Sequence, residues 1–346
     1  MAYTTINKAS DYFNTLLWTG NSGNQSITGN SFTADFTWSK TRSHAETHIL
    51  MDTVRDAGTT LNQNISSNTS NAEGTLNNSS TLTVNSTGFD VAGTTGGPLN
   101  YTGYTYASWL WRAGGHTGTS NSDGSITSTV SANTTSGFSI VKFTATGSAA
   151  TVGHGLSTAP KMILVKRTDS AHTWQIYHAS IGATKYLEFG AQAEQTSSGR
   201  WNDTAPTTSV FSIGTEWGSG AVLIAYCFSD ITGFSKTGLY EGNGDADGAF
   251  VYTGFKPAFI MYKGKGQATD WFIFDNKRNG YNVNNDDLEP SNTSVESNTD
   301  KLDILSNGFK FRKTDADSNG SGQGFVYLAF AAAPIVGTNN IPATAR

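Results

Sequence analysis

Phe250-Val-Tyr-Thr-Gly-Phe-Lys-Pro-Ala-Phe-Ile-Met-Tyr-Lys263, followed by Asp270-Trp-Phe-Ile-Phe-Asp-Asn-Lys-Arg278, decides the fold class. The apolar runs are short, rich in aromatic and β-branched residues, and closed by polar turn formers, a pattern that specifies strands rather than helices. Phe272-Ile-Phe-Asp275 and Phe309-Lys-Phe-Arg312 alternate as half-buried strands do. These runs belong to a longer order. It opens at Gly233-Phe-Ser-Lys-Thr-Gly-Leu-Tyr-Glu-Gly-Asn243 and ends with Leu302-Asp-Ile-Leu-Ser-Asn-Gly-Phe-Lys-Phe311 and Phe325-Val-Tyr-Leu-Ala-Phe330.

The order recurs upstream. Gly137-Phe-Ser-Ile-Val-Lys-Phe-Thr-Ala-Thr-Gly147, Gly155 to Arg167, His172 to His178, Val210-Phe-Ser-Ile213 and Val222-Leu-Ile-Ala-Tyr-Cys-Phe228 form a second copy. A more divergent first copy runs through Tyr12 to Asn21, Phe32 to Arg42, His48 to Arg55, Gly88-Phe-Asp-Val91 and Tyr104 to Trp111. Phe13, Phe138 and Phe234 mark the three openings. About seven short strands per copy suit a two-sheet sandwich. The expectation is an all-β chain of three tandem β-sandwich modules, of jelly-roll, concanavalin-like or Ig-like kind. The modules span 1–115, 137–232 and 233–335, with a Gly/Ser/Thr-rich linker at 116–136 and a tail at 336–346. Ala45 to Asp56 permits a helix, but its match to the Trp-bearing strand of the other copies favours a strand.

Composition narrows the function. The 346 residues carry only 14% charged side chains and a net charge of −5, which argues against gripping nucleic acid through its phosphates. At 12% aromatic content the chain is too rich in rings for disorder. A single cysteine, Cys227, excludes a disulfide framework and a cysteine zinc cage, and its apolar run makes it a packing residue. No apolar stretch reaches the ~20 residues of a membrane span. The polar start lacks a signal-peptide core.

The opening Tyr/Phe-x-Gly-Asn turn, the Gly-Phe-x-Pro-x-Phe strand entry and the late Gly-Phe strand resemble tandem-module, tail fibre-like virion proteins of tailed, especially marine, bacteriophages. So do Tyr106-Ala-Ser-Trp-Leu-Trp-Arg-Ala-Gly-Gly115, Ser125-Ile-Thr-Ser-Thr-Val-Ser-Ala-Asn133, Phe325 to Pro334 and Ile341-Pro-Ala-Thr-Ala-Arg346. The match covers both ends, which implies a complete gene product. The resemblance implies a place in the virion, on the tail or an external appendage, after assembly in the host cytoplasm. It carries no catalytic residues.

Candidate chemistry is sparse. His44-Ala-Glu-Thr-His48 puts three ionisable groups at alternate positions, yet no further ligand pair accompanies them, so a solvated face or loop is expected. Asp315, Asp317 and Asn319 imitate half a calcium loop, but Val326 stands where the closing acid belongs; a polar hairpin loop is the simpler reading. There is no Gly-x-Ser-x-Gly elbow and no phosphate-cradling Gly-Lys-Ser/Thr loop, so no enzyme activity and no cofactor are expected. Trp109, Trp111, Trp174 and Trp271 read as core. Trp201, Trp217 and Tyr281 fall in polar, Gly/Asn-flanked loops and are the candidates for receptor or glycan contact.

The expected function is a tail-fibre-type virion protein contributing to host-surface attachment. Its expected partners are other virion proteins and a host-surface glycan, with neither nucleic acid nor membrane insertion. A homotrimer and a pseudo-threefold monomer both fit, the trimer being favoured. The alternatives are a capsid decoration or head-fibre protein, a tail adaptor, and a polysaccharide-binding lectin or depolymerase.

Overall fold

The computed structural model describes residues 4–76, 80–93, 98–279, 282 and 284–335. Strands dominate, and among the described residues helix is limited to single turns such as Thr53–Asp56 and Ser198–Trp201.

The first third forms β1 (Phe13–Thr19), β2 (Gln25–Thr28), β3 (Phe36–Thr41), β4 (Ile49–Asp52), β5 (Thr60–Leu61), β6 (Gln63–Asn64), β7 (Gly74–Thr75), β8 (Thr81–Asn85), β9 (Gly88–Ala92) and β10 (Thr105–Trp111). One sheet runs β1-β10-β3-β4, a second β2-β9-β8-β5, and β6 pairs with β7.

The middle third forms β11 (Thr119–Asn121), β12 (Ser128–Asn133), β13 (Phe138–Thr146), β14 (Ala150–Gly153), β15 (Met162–Arg167), β16 (Gln175–His178), β17 (Lys185–Tyr186), β18 (Gln195–Thr196), β19 (Val210–Ile213) and β20 (Ser219–Phe228). Its large sheet is β11-β12-β13-β20-β15-β16, beside the pairs β14-β19 and β17-β18.

The last third forms β21 (Ser235–Glu241), β22 (Phe250–Tyr252), β23 (Phe255–Gly264), β24 (Trp271–Asp275), β25 (Asn284–Asp287), β26 (Ser297–Leu305), β27 (Gly308–Phe311) and β28 (Gly324–Pro334). Its sheets are β21-β28-β23-β24 and β22-β27-β26-β25.

Thus β1-β10-β3-β4, β13-β20-β15-β16 and β21-β28-β23-β24 share one order, and register matches them residue for residue. Trp111 lies opposite Phe36, and Phe36 opposite Asp52; Phe228, Met162 and His178 repeat the set, as do Phe330, Phe259 and Asp275. Ser235, rather than Phe234, holds the register position of Phe13 and Phe138. The expected linker is also corrected, because 116–136 contains β11 and β12, and β12 pairs with β13. Uncharged Ser/Thr/Val sequence can pair as a strand wherever a sheet edge is free, so a linker-like composition did not prevent it. Residues 45–56 divide: β4 ends at Asp52, whose carboxylate then caps the turn Thr53–Asp56 by accepting from Val54 N and Arg55 N.

The inner strands of these matching sheets, β10 and β3, β20 and β15, and β28 and β23, are buried on both faces along most of their length. Along β10, Tyr106 and Leu110 enter a core shared with Ile27, Leu82, Val84 and Phe89, while Ala107, Trp109 and Trp111 enter a second core on the opposite side. On β20, Leu223, Ala225 and Cys227 face one core and Ile224, Tyr226 and Phe228 the other. A period of two therefore serves two cores at once. In the second core all three sheets meet. Trp111, Phe228 and Phe330 form a triangle of rings with centroids 6.4, 5.8 and 5.9 Å apart. Each such ring contributes roughly 1.5–3 kcal/mol through burial, with edge contacts adding to it.

Buried polar groups close this core cyclically. Trp174 Nε1 donates to Ser66 O and Trp271 Nε1 to Glu188 O, both at 2.8 Å. His48 stands at the matching position of the first sheet. Its Nδ1 accepts from Trp38 Nε1, so Nε2 carries the proton and donates to Glu289 O at 3.0 Å. The middle third is thereby tied to the first, the last to the middle, and the first to the last. A second cycle lies beside it: Tyr226 Oη to Asp52 (2.8 Å), Trp109 Nε1 to Asp275 (3.0 Å) and His178 Nε2 to Tyr327 O (3.2 Å). The donor side chains His48, Trp109, Trp174, His178, Tyr226 and Trp271 are all buried, so each bond avoids the cost of an unpaired buried donor.

Candidate functional site

A groove of about 600 Å³ lies where the turn after β10 crosses between the first and middle thirds. Its floor is Asp35, which enters β3 from the apolar run Phe32-Thr-Ala-Asp-Phe36. Asp35 Oδ2 accepts from Ala113 N at 2.7 Å, Oδ1 accepts from Thr53 Oγ1 at 3.3 Å, and His116 Nδ1 lies 2.9 Å from Oδ1. Burial pushes the Asp35 carboxyl up, opposed by His116 and the Ala113 N–H.

Arg112-Ala-Gly-Gly-His116 is shaped by this carboxylate and by β12. A Cβ on Gly114 would sit 2.2 Å from Ala132 O, so the close approach of the two chains needs glycine there. Ser131 Oγ accepts from Gly114 N (3.0 Å) and donates to Gly115 O (2.6 Å). The turn leaves Arg112 exposed and His116 partly exposed at the groove, with Thr33, Ser86 and Thr134 contributing hydroxyls. Chemically this is a hydrogen-bonding and weakly cationic surface around a buried acid. Asp35 is occupied in holding the turn, and the groove offers a polar ligand one guanidinium, one imidazole and several hydroxyls. Sequence reading missed it because residues 112–116 lie across an expected module boundary; the lone acid inside an apolar run was the available signal.

The sequence candidates fall elsewhere. Trp201 and Trp217 are only 2% and 1% exposed, so the glycan-stacking expectation is corrected for both. Trp201 Nε1 donates to Lys185 O at 3.1 Å and Trp217 Nε1 to Arg200 O at 3.4 Å. The middle third has only β14 and β19 as its outer layer, and these two rings plug the core that so small a layer leaves uncovered. Tyr281 lies outside the described residues. The half-calcium pattern is tied together by its own side chains. Asn319 is buried, and its amide cross-links the loop, accepting from Asn243 N and donating to Asn243 Oδ1, Asp245 O and Lys313 O. Asp317 faces Lys301 at 3.3 Å, and Asp315 O accepts from Ser318 N and Asn319 N. Asn319 therefore has no side-chain atom left for an ion. His48 is buried rather than solvated, and His44 stacks on Tyr104. Cys227 is buried, and its thiol is pushed up to about 12. Among the described residues no group of three His, Cys, Asp or Glu is placed to hold a metal ion, and no helix is long and apolar enough to cross a membrane.

Fold and groove together define an all-β protein of β-sandwich type, with antiparallel sheets packed around shared cores. The chain belongs to the family described as Domain of unknown function (DUF7483), which matches residues 8–334. No curated protein and no solved structure matches it.

Proposed function

We propose that this protein is a structural component of a bacteriophage virion, of tail-fibre type, that contributes to host-surface attachment. The observation that carries the reading is the closed cycle of three matching sheets around Trp111, Phe228 and Phe330. Phage fibres commonly build threefold heads from three chains; here one chain supplies the threefold arrangement, so a homotrimer is not required. The motifs that resemble phage virion proteins supply the link to a particle. The groove beside Asp35 is the attachment surface in this reading, because guanidinium, imidazole and hydroxyl groups suit a host-surface glycan. Non-catalytic binding fits a carboxylate already engaged in holding a turn.

The test combines position and loss. Immunogold labelling should place the protein on the tail, and particles lacking it should adsorb poorly to host cells. Labelling on the capsid would favour the decoration reading, and unchanged adsorption without the protein would overturn attachment.

A further inference from the structure

The three matching sheets differ at one edge. In the middle sheet, β13 is covered by β12, with Thr129 opposite Lys142, Ser131 opposite Ile140 and Asn133 opposite Phe138. The same insertion reaches the outer layer through a bridge from Ile126 to Val152 on β14. In the other two sheets the corresponding strands, β1 and β21, are the outermost strands. Register makes Leu17 and Leu239 the counterparts of Lys142. Along β21 the outward main-chain N–H of Ser235 is taken by Ile231 O and that of Thr237 by the Asp230 carboxylate. Among the described residues none supplies a partner to the outward N–H groups of Leu239 or Leu17.

Side chains sharpen the contrast. Natural edge strands are normally defended by charge, lysine above all. At this register position the lysine is on the covered strand and leucines are on the two open ones; the lysine of β21, Lys236, is drawn across to β22, its Nζ donating to Tyr252 O at 2.9 Å. Among the described residues five large hydrophobic side chains are exposed, and Leu17, Leu239, Phe250 and Tyr252 are four of them. The last two lie on β22, itself the edge of the outer sheet, and a groove of about 460 Å³ runs between β21 and β22.

We propose that β21, and equivalently β1, is a docking edge for an extended segment of a different polypeptide chain, which adds to the sheet as β12 adds to β13. The outward N–H groups of Leu239 and Leu17, set beside exposed apolar side chains at a sheet edge, are matched by a polypeptide strand, since main-chain bonds give affinity and side-chain pockets give selectivity. The chain's own occupant states the chemistry: Ile126-Thr-Ser-Thr-Val-Ser-Ala-Asn133 is uncharged and sets Ile126, Val130 and Ala132 among hydroxyl residues. The incoming segment has that character, with aliphatic residues placed against Leu239, Phe250 and Tyr252.

The test uses the full chain and a fluorescent peptide with the sequence of residues 125–133. Saturable binding is expected, with amide hydrogen exchange at Leu239 and Leu17 slowed roughly tenfold or more at saturation. Leu239→Pro removes the outward N–H without touching the ladder to β28, and should abolish protection on β21 while sparing Leu17. If that variant does not fold, a peptide N-methylated at alternate amides replaces it and should fail to bind. Absence of protection at millimolar peptide, or protection unchanged by both modifications, overturns the proposal. So does concentration-dependent protection of Leu239 in the protein alone, which would make a second copy the occupant. Adsorption of particles to cells does not enter this experiment, so its outcome is separate from that of the attachment reading.

Discussion

Tyr226 donates its phenolic proton to the Asp52 carboxylate at 2.8 Å, joining the middle third of the chain to the first inside the shared core. The same carboxylate caps the turn after β4 and pairs with Arg55. Replacing Tyr226 by Phe leaves the ring in place and removes one bond to a buried charge. Urea denaturation should show a loss of about 1–3 kcal/mol. A change below a few tenths would mean that the tie contributes nothing.

Acid should weaken the fold through His178. It is fully buried, and burial holds its imidazole down to about 4, well below the usual 6.5. A histidine lowered in the folded state contributes fully above about pH 6.5. As pH falls from there toward 4 the unfolded chain takes up the proton first, and up to about 3 kcal/mol is lost. His48, also driven well down by burial, adds in the same direction. His178→Gln should flatten the acid limb of a stability-against-pH curve measured by urea midpoints.

Alkali should do the reverse at first. Lys40, Lys166 and Lys263 occupy one register position in the three sheets, and burial lowers each to about 8. Lys166 Nζ donates to Ser70 O and Lys263 Nζ to Gly190 O, both at 2.9 Å and both across to another third of the chain. Between pH 8 and about 10.5 the unfolded chain holds protons that the folded one has released, so these lysines make stability rise with pH. The rise should end near pH 10, where buried tyrosines such as Tyr226 and Tyr262, whose ionisation is pushed up by burial, begin to oppose it. Lys166→Met should lessen the rise.

Cys227 offers a check on packing. Its thiol is fully buried beside Ser139 and held in the neutral form by desolvation. Native protein should resist a thiol reagent at pH 8, and urea-unfolded protein should react at once. Rapid labelling under native conditions would contradict the packing described.

The groove yields a separable prediction. In the attachment reading, Arg112→Ala should lower binding to host cells several-fold while shifting the urea midpoint little, since the Arg112 side chain is exposed. Asp35→Ala should lower stability instead, because Ala113 N–H would lose its acceptor inside the protein.

Much of the scaffold was legible because strand pairs obey local rules. Val222 to Phe228 reads as a continuous apolar run, and it becomes an inner strand with a core on each side. Trp174 and Trp271 were recognised as matching positions, and their indoles do make matching bonds. Other features depend on tertiary placement that no local pattern carries. The sequence match sets His48 in the Trp-bearing strand, but nothing near it says that it makes the tryptophan's bond, because its acceptor is 241 positions away. Trp201 and Trp217 sit in polar, glycine-flanked sequence, yet they are pulled inward by a core whose outer layer is small. The same polar composition that suggested a linker conceals β12.

The cycle of ties also sets a schedule for synthesis. Trp109 waits for Asp275, 166 positions later, and His48 for Glu289. While the ribosome is still making the last third, the inward faces of the first two sheets have no third sheet to cover them. Contacts so distant in sequence make folding slow, and uncovered aromatic surface makes intermediates prone to aggregate. A chain truncated before β28 would lack the ring of Phe330 and leave its core unsealed, so β28 acts as the latch that converts two finished sheets into a closed core.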